Sequence, residues 1–262
     1  DDRDAQLDKT TLYDSGIWKA LFEFQRDGVK GAINKIRNHN GCIIADSVGL
    51  GKTYEALAII KYFELRNDRV LVLCPKKLRD NWTVYRYPTT LNPFVGDRFR
   101  FDVLSHTDLS RDGGKSGDID LDTLNWGAYD FIVIDESHNF RNNTKGKRDE
   151  DGNIIKKSRY ERLMQDVVCG GIRSKVLLLS ATPVNTDLKD LRNQIYFLTE
   201  GKDDAFQESL GIRNLKDALT AAQQQFHRWA REPAHKRKTK DLLEKLSSGF
   251  FKLLDELTIA RS

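Results

Sequence analysis

Five short apolar runs separated by helix-patterned stretches constrain this chain more than any other feature: residues 41–45, 69–74, 101–105, 131–135 and 175–180. Continuous apolarity over about five residues is what a parallel strand covered on both faces requires. Between the runs, Tyr54 to Leu65 and Lys77 to Tyr87 place apolar side chains three and four residues apart, the spacing of a helix that buries one side. Strands and helices in alternation predict an α/β fold with a doubly wound, mainly parallel sheet. In such a sheet, ligands bind beyond the carboxyl ends of the strands.

After Ser180 the strand pattern stops. From about Leu188 onward the chain reads as helices, broken by a polar stretch at 201–204 and followed by a basic run at 235–240. A chain of 262 residues holds one large α/β domain with a helical C-terminal appendage, but two full domains would be a tight fit. The expected division is 1–195 for the sheet domain and 196–262 for the appendage. Residues 111–117 and 142–157 read as loops, the second around an Asp151-Gly152 turn signal. The amphipathic stretch 250–257 reaches Ser262 with no stop signal, so the chain is expected to continue in a longer protein.

A net charge of +4, with 31% charged residues, describes a well-solvated protein rather than a strongly basic nucleic-acid coat. Partners must therefore be argued from where charges sit. No apolar run approaches the roughly 20 residues of a membrane helix, and Asp1-Asp2-Arg3-Asp4 lacks the features of a signal peptide. A cytoplasmic location without membrane partners is expected, and Cys42, Cys74 and Cys169, which lack metal-ligand spacing, are expected to be reduced, buried and structural.

The run at 41–45 leads into Asp46-Ser47-Val48-Gly49-Leu50-Gly51-Lys52-Thr53, a glycine-rich turn before a helix. Backbone N–H groups in such a turn face one concavity, and the helix start adds unpaired donors and a positive dipole end. Lys52 then reaches the terminal phosphates of a nucleotide and Thr53 ligates Mg2+. Asp46 stands where the strict pattern has Gly, and an ordinary strand-turn-helix is the bland alternative. The run at 131–134 ends in Asp135-Glu136-Ser137-His138, placing two carboxylates at the end of a buried strand. Asp135 is the candidate metal residue and Glu136 the candidate base for an attacking water. At the end of a third run, the hydroxyls of Ser180 and Thr182 can cap a helix or pair with His138 to link hydrolysis to a distant surface.

In order, Phe24-Gln25-Arg26-Asp27-Gly28-Val29, the Gly-Leu-Gly-Lys-Thr turn, Val72-Leu73-Cys74-Pro75-Lys76-Lys77-Leu78 with Trp82, Asp135 to His138, and Ser180-Ala181-Thr182-Pro183 resemble the first RecA-like motor lobe of superfamily-two helicases. The match is closest to the Swi/Snf-like DNA translocases and covers residues 13 to 200. The resemblance implies a P-loop NTPase lobe that binds ATP and Mg2+, with Gln25 reading adenine and Asp46, Gly49, Leu50, Gly51, Lys52, Thr53 and Tyr54 forming the cofactor site. It further implies Lys52, Asp135, Glu136 and His138 in catalysis, and Ser180 with Thr182 in coupling. Lys76, Lys77, Ser105 and His106 match the motifs that hold one nucleic-acid strand, with double-stranded DNA the expected track. Ser47-Val48, Ser137 and the Ser-Ala-Thr-Pro motif depart from the eukaryotic remodellers and look more bacterial, which implies association with the nucleoid.

Superfamily-two motors hydrolyse ATP between two lobes, with arginines of the second stabilising charge in the transition state. By this resemblance the present lobe binds nucleotide and hydrolyses it poorly until a second RecA-like lobe completes it. The rivals are a strand-separating DNA or RNA helicase of the same superfamily and a nucleic-acid-binding module that uses ATP structurally. For Lys76 and Lys77 a solvated helix start is the bland reading, and the basic loop Arg141, Lys145, Lys147, Arg148 reads equally as a solvated hairpin. The run at 236–240 reads first as a solvated face, with DNA contact by a helical protrusion, as the resemblance implies, the alternative. Trp18, Phe22, Trp126 and Trp229 are read as core, with Trp18 or Phe22 a candidate to stack on adenine.

Overall fold

The computed structural model describes residues 11–45, 51–181 and 187–260. All five apolar runs form strands: β1 Gly41–Ile44, β2 Val70–Cys74, β3 Asp102–Ser105, β4 Phe131–Asp135 and β5 Lys175–Leu179. A sixth, β6 Thr258–Ile259, lay outside the sequence expectation, because two residues carry too little pattern to read. The order across the sheet is β6-β1-β5-β4-β2-β3, with every neighbouring pair parallel. The expected doubly wound parallel sheet is therefore present.

The unbroken apolarity of the strands follows from what lies on each side. Cys42, Val72, Val133 and Leu177 point to one face, where helices α1 (Glu23–His39) and α2 (Lys52–Leu65) bury Val29, Ile33, Leu57 and Ile60 against them. Alternate residues Ile43, Leu73, Ile132 and Leu178 point to the other face. There they meet α3 (Leu188–Thr199), α4 (Leu215–Arg231) and α5 (Ser248–Leu257) through Leu191, Ile195, Leu219 and Leu253. Each buried Leu or Ile contributes about 1.5–3 kcal/mol. The dividing line expected at 195 falls inside α3, and residues on both sides of it share that one core.

Lys77 to Tyr87 is not one helix. It breaks into Lys76–Leu78, Arg79–Thr83 and Val84–Arg86, the outer two being 3-10 turns. Thr83 Oγ1 bonds back to the Arg79 carbonyl at 2.9 Å, and β-branched Val84 follows, both of which weaken helix continuation. The 142–157 loop holds a small ribbon, Lys147–Arg148 with Ile154–Lys156, turned by Gly152 at φ +85°. Cys42 and Cys74 are buried as expected, but Cys169 is exposed: it follows the buried pair Val167 and Val168, where the chain returns to the surface. Among the described residues, no helix is long and apolar enough to cross a membrane.

Candidate active site

The sheet order explains where the motifs meet. The chain crosses from β1 to β2 and leaves room for β5 and β4 between them, so the ends of β1, β5 and β4 lie side by side. Ile44 and Asp135 both pair in register with Leu179. That is the switch point at which open α/β sheets take their ligands.

Gly51 caps α2 with φ +81° and ψ 30°, a conformation that glycine adopts freely. A Cβ there would lie 2.5 Å from Gln25 Nε2, closer than real contacts allow. Gln25 itself is buried, and its Oε1 accepts from the Phe22 backbone N–H at 3.0 Å, which aims the amide nitrogen at the end of the loop. Lys52, Thr53 and Tyr54 follow on the first turn of α2, each partly buried. Tyr54 packs sideways, its ring 5.2 Å from Phe94. Asp46, Gly49 and Leu50 lie outside the described residues. Of the two aromatic candidates, Trp18 is buried whereas Phe22 is 70% exposed and stacked on Phe24 with ring centres 6.0 Å apart. Phe22 is thus not core: it precedes α1 at its N-cap and stays outside the packed face. Trp126 and Trp229 are partly buried against the core.

Asp135 ends β4 with each carboxylate oxygen engaged once. Oδ1 accepts from the Glu136 N–H and Oδ2 from the Trp82 indole N–H, both at 2.9 Å. Burial pushes the Asp135 carboxyl above the usual range and Glu136 adds to this, while the Trp82 bond and the Lys52 charge oppose it. Glu136 itself lies in the left-handed region at φ 50°, ψ 50°, which costs a non-glycine residue about 1–2 kcal/mol. The sharp bend brings Glu136 Oε2 to 3.2 Å from His138 Nδ1. Ser180 Oγ stands 3.4 Å from the same nitrogen, so the expected His138–Ser180 contact is present. Thr182 lies outside the described residues. Ser137 points the other way, its hydroxyl donating to Gln194 Oε1 of α3 at 2.8 Å, with both side chains fully buried.

Beside the acids, Pro75, Lys76, Lys77, His106, Thr107, Asn139, Phe140 and Arg159 line a cavity of about 310 Å³. Lys76, Lys77 and Arg159 are exposed cations there. His106 lies at the same place but is buried, which pushes its imidazole down to about 4 and leaves it neutral, edge-on to Phe140 at 4.8 Å. Ser105 does not fit the surface contact expected of it. Its N–H and hydroxyl both bond Asp108 Oδ2 at 2.8 Å, committing the side chain to the interior. In the basic loop, Arg148 pairs with Glu161 and Arg141 stands 4.0 Å from Asp190, while Lys145 and Lys147 are exposed. The run at 235–240 is exposed, with Arg237 over the Trp229 ring. Sequence reasoning missed Arg159, Asn139 and Gln194, and it quoted Trp82 only as part of a motif without its bond to Asp135, because each of these contacts forms only through the fold.

These residues fit a magnesium nucleotide. The Gln25 amide lies so close to Gly51 that a Cβ there would force it to move, which sets a base-reading group beside the start of α2, and a buried carboxylate raised by desolvation is one that a cation would stabilise. Among the described residues no group of three or more His, Cys, Asp or Glu could hold a metal. One carboxylate plus a hydroxyl suits Mg2+, which is usually bound through one or two carboxylates with substrate phosphates and water.

Residues 24–96 match the family model of the SNF2-related domain. That segment is SNF2-related. It is 26% identical to the ATP-dependent helicase FUN30 of Saccharomyces cerevisiae over 199 residues, 68% of this chain and 16% of that protein. It is 29% identical to the uncharacterized ATP-dependent helicase YqhH of Bacillus subtilis over 172 residues, 63% of this chain and 28% of that protein. The chain therefore spans less than a third of either relative. Among solved structures, the Sulfolobus solfataricus SWI2/SNF2 ATPase core in complex with dsDNA matches 91% of this chain and 44% of that one, with TM-score 0.52 and 17% identity. The family match takes in Gln25, Gly51 to Thr53, Lys76, Lys77 and Trp82, and ends before the acids at 135 and 136.

Proposed function

We propose that this SNF2-related chain is the nucleotide-binding lobe of an ATP-dependent translocase that moves along nucleic acid, with double-stranded DNA as its track. The observation that carries the proposal is the meeting of Gln25 with Gly51 at the start of α2, beside Asp135 and Glu136 on a neighbouring strand end. Two relatives bear the name ATP-dependent helicase, and the similar solved core was determined with duplex DNA, which supports the choice of fuel and track.

In this reading Gln25, which offers one donor and one acceptor, selects adenine, and the exposed face of Phe22 is available to the base. Lys52 and the N–H groups at the start of α2 hold phosphate. Thr53 and Asp135 would hold Mg2+, which when bound neutralises charge on the terminal phosphates. Glu136 accepts the proton of the attacking water, with its carboxylate steered by His138 at 3.2 Å. His138, Ser180 and Thr182 carry the state of this turn to the rest of the lobe. Lys76, Lys77 and Arg159 hold backbone phosphates of the nucleic acid. Helices α4 and α5 cover the second face of the sheet, and residues 196–262 connect to a second RecA-like lobe, which supplies the cations that complete hydrolysis.

The test is ATP turnover by a protein that joins this chain to such a lobe. Duplex DNA is expected to stimulate turnover, and Glu136→Gln to abolish it while leaving ATP binding intact. Turnover indifferent to nucleic acid would instead support a module that uses ATP structurally. Displacement of a triplex strand without duplex unwinding separates translocation from strand separation.

A further inference from the structure

Trp82 is 1% exposed, on the short helix Arg79–Thr83, with its ring edge-on to Phe101 at 6.3 Å. An indole N–H is a donor only, and a buried one needs an acceptor. The acceptor here is the candidate metal carboxylate itself, Oδ2 of Asp135 at 2.9 Å. The other oxygen takes the Glu136 N–H at 2.9 Å, so the carboxylate plane is clamped from both sides while each oxygen retains a lone pair. The helix behind Trp82 is fixed as well: Arg79 donates to Ser116 Oγ at 2.8 Å. A tryptophan filling space would need none of this alignment.

We infer that Trp82 is a positioning residue for the cation: its indole N–H holds the Asp135 carboxylate in the orientation that Mg2+ requires. It does so from the same short segment that carries Lys76 and Lys77, so the metal carboxylate and the candidate phosphate contacts hang on one piece of chain. Partners of this kind, one bond removed from a metal ligand, typically change metal affinity by about 10–100-fold when lost.

The inference rests on the nucleotide reading above, and its test separates the two. In the 262-residue chain, Trp82→Phe keeps an aromatic ring and loses the N–H. Binding of a fluorescent ADP analogue is titrated with Mg2+ for both proteins, beside a measurement in EDTA and a thermal melt. The expected result is an Mg2+ requirement raised about tenfold in Trp82→Phe, with affinity in EDTA within about twofold of the parent. An unchanged Mg2+ requirement would overturn the inference, whereas no ADP binding by the parent chain would overturn the nucleotide reading instead. Should Trp82→Phe fail to fold, the parent protein still decides. Its Trp82 indole N–H resonance, assigned by replacing Trp18, Trp126 and Trp229 in turn, is expected to shift when Mg2+ joins bound ADP, and a resonance that stays put refutes the role.

Discussion

His106 shows at the scale of one residue how burial redirects a motif. The resemblance expects a nucleic-acid contact there, yet desolvation drives its imidazole down to about 4 from an ordinary 6.5, so it lines the cavity as a neutral ring. A folded value below the unfolded one means that the protein gains stability above the unfolded value and loses it as pH falls towards the folded one. Between pH 7 and pH 5 the loss from this residue is about 2 kcal/mol. Urea unfolding at the two pH values is expected to show that drop in the parent and not in His106→Asn. The raised carboxyls of Glu64 and Asp135 are common to both proteins and cancel in the comparison. An equal drop in both proteins would mean that His106 is not held neutral.

At the scale of elements, the turn after β4 is held from two directions. Glu136 and His138 face the candidate site, while Ser137 reaches back to Gln194 on α3 with neither side chain exposed. α3 is tied in turn to α4, since the Leu188 N–H donates to Gln223 Oε1 at 2.6 Å. Removing the Ser137 hydroxyl removes a buried hydrogen bond, which costs about 0.5–1.5 kcal/mol. Denaturant unfolding of Ser137→Ala is expected to show that loss. A double variant with Gln194→Leu should lose less than the two singles summed, because the polar partner then goes as well; strict additivity would mean the bond carries no energy. The five longer strands were legible in the sequence because burial on both faces leaves their centres apolar and confines polar residues to their ends, as at Phe131 to Ile134 before Asp135. The partner of Ser137 was not legible, since its identity depends on which helix the fold lays behind the turn. Nor was the break after Thr83, where a side-chain bond to the backbone outweighed helical spacing.

For the whole molecule, what matters is the sheet order. Inserting β5 and β4 between β1 and β2 brings together a glycine turn, two carboxylates and a hydroxyl from distant parts of the sequence, and α1 adds Gln25 from the front face. Lys52, Asp135 and Glu136 could be picked out from sequence because their chemistry is written locally, at the ends of apolar runs. Arg159 could not, nor could the bond that Trp82 makes, because only the folded chain sets Arg159 beside the lysines and the Trp82 indole beside Asp135. On the function proposed above, this junction binds an adenine nucleotide. Calorimetric titration of Mg2+–ADP into the chain tests it most directly, alongside Lys52→Ala, Gly51→Ala and Gly152→Ala. Gly152 shares the positive φ of Gly51 but has open space where a Cβ would stand, so it controls for backbone strain alone. Saturable binding is expected of the parent and of Gly152→Ala, with a loss of at least about tenfold in Gly51→Ala and no measurable binding in Lys52→Ala. Equal affinity in the parent and Lys52→Ala would contradict that function.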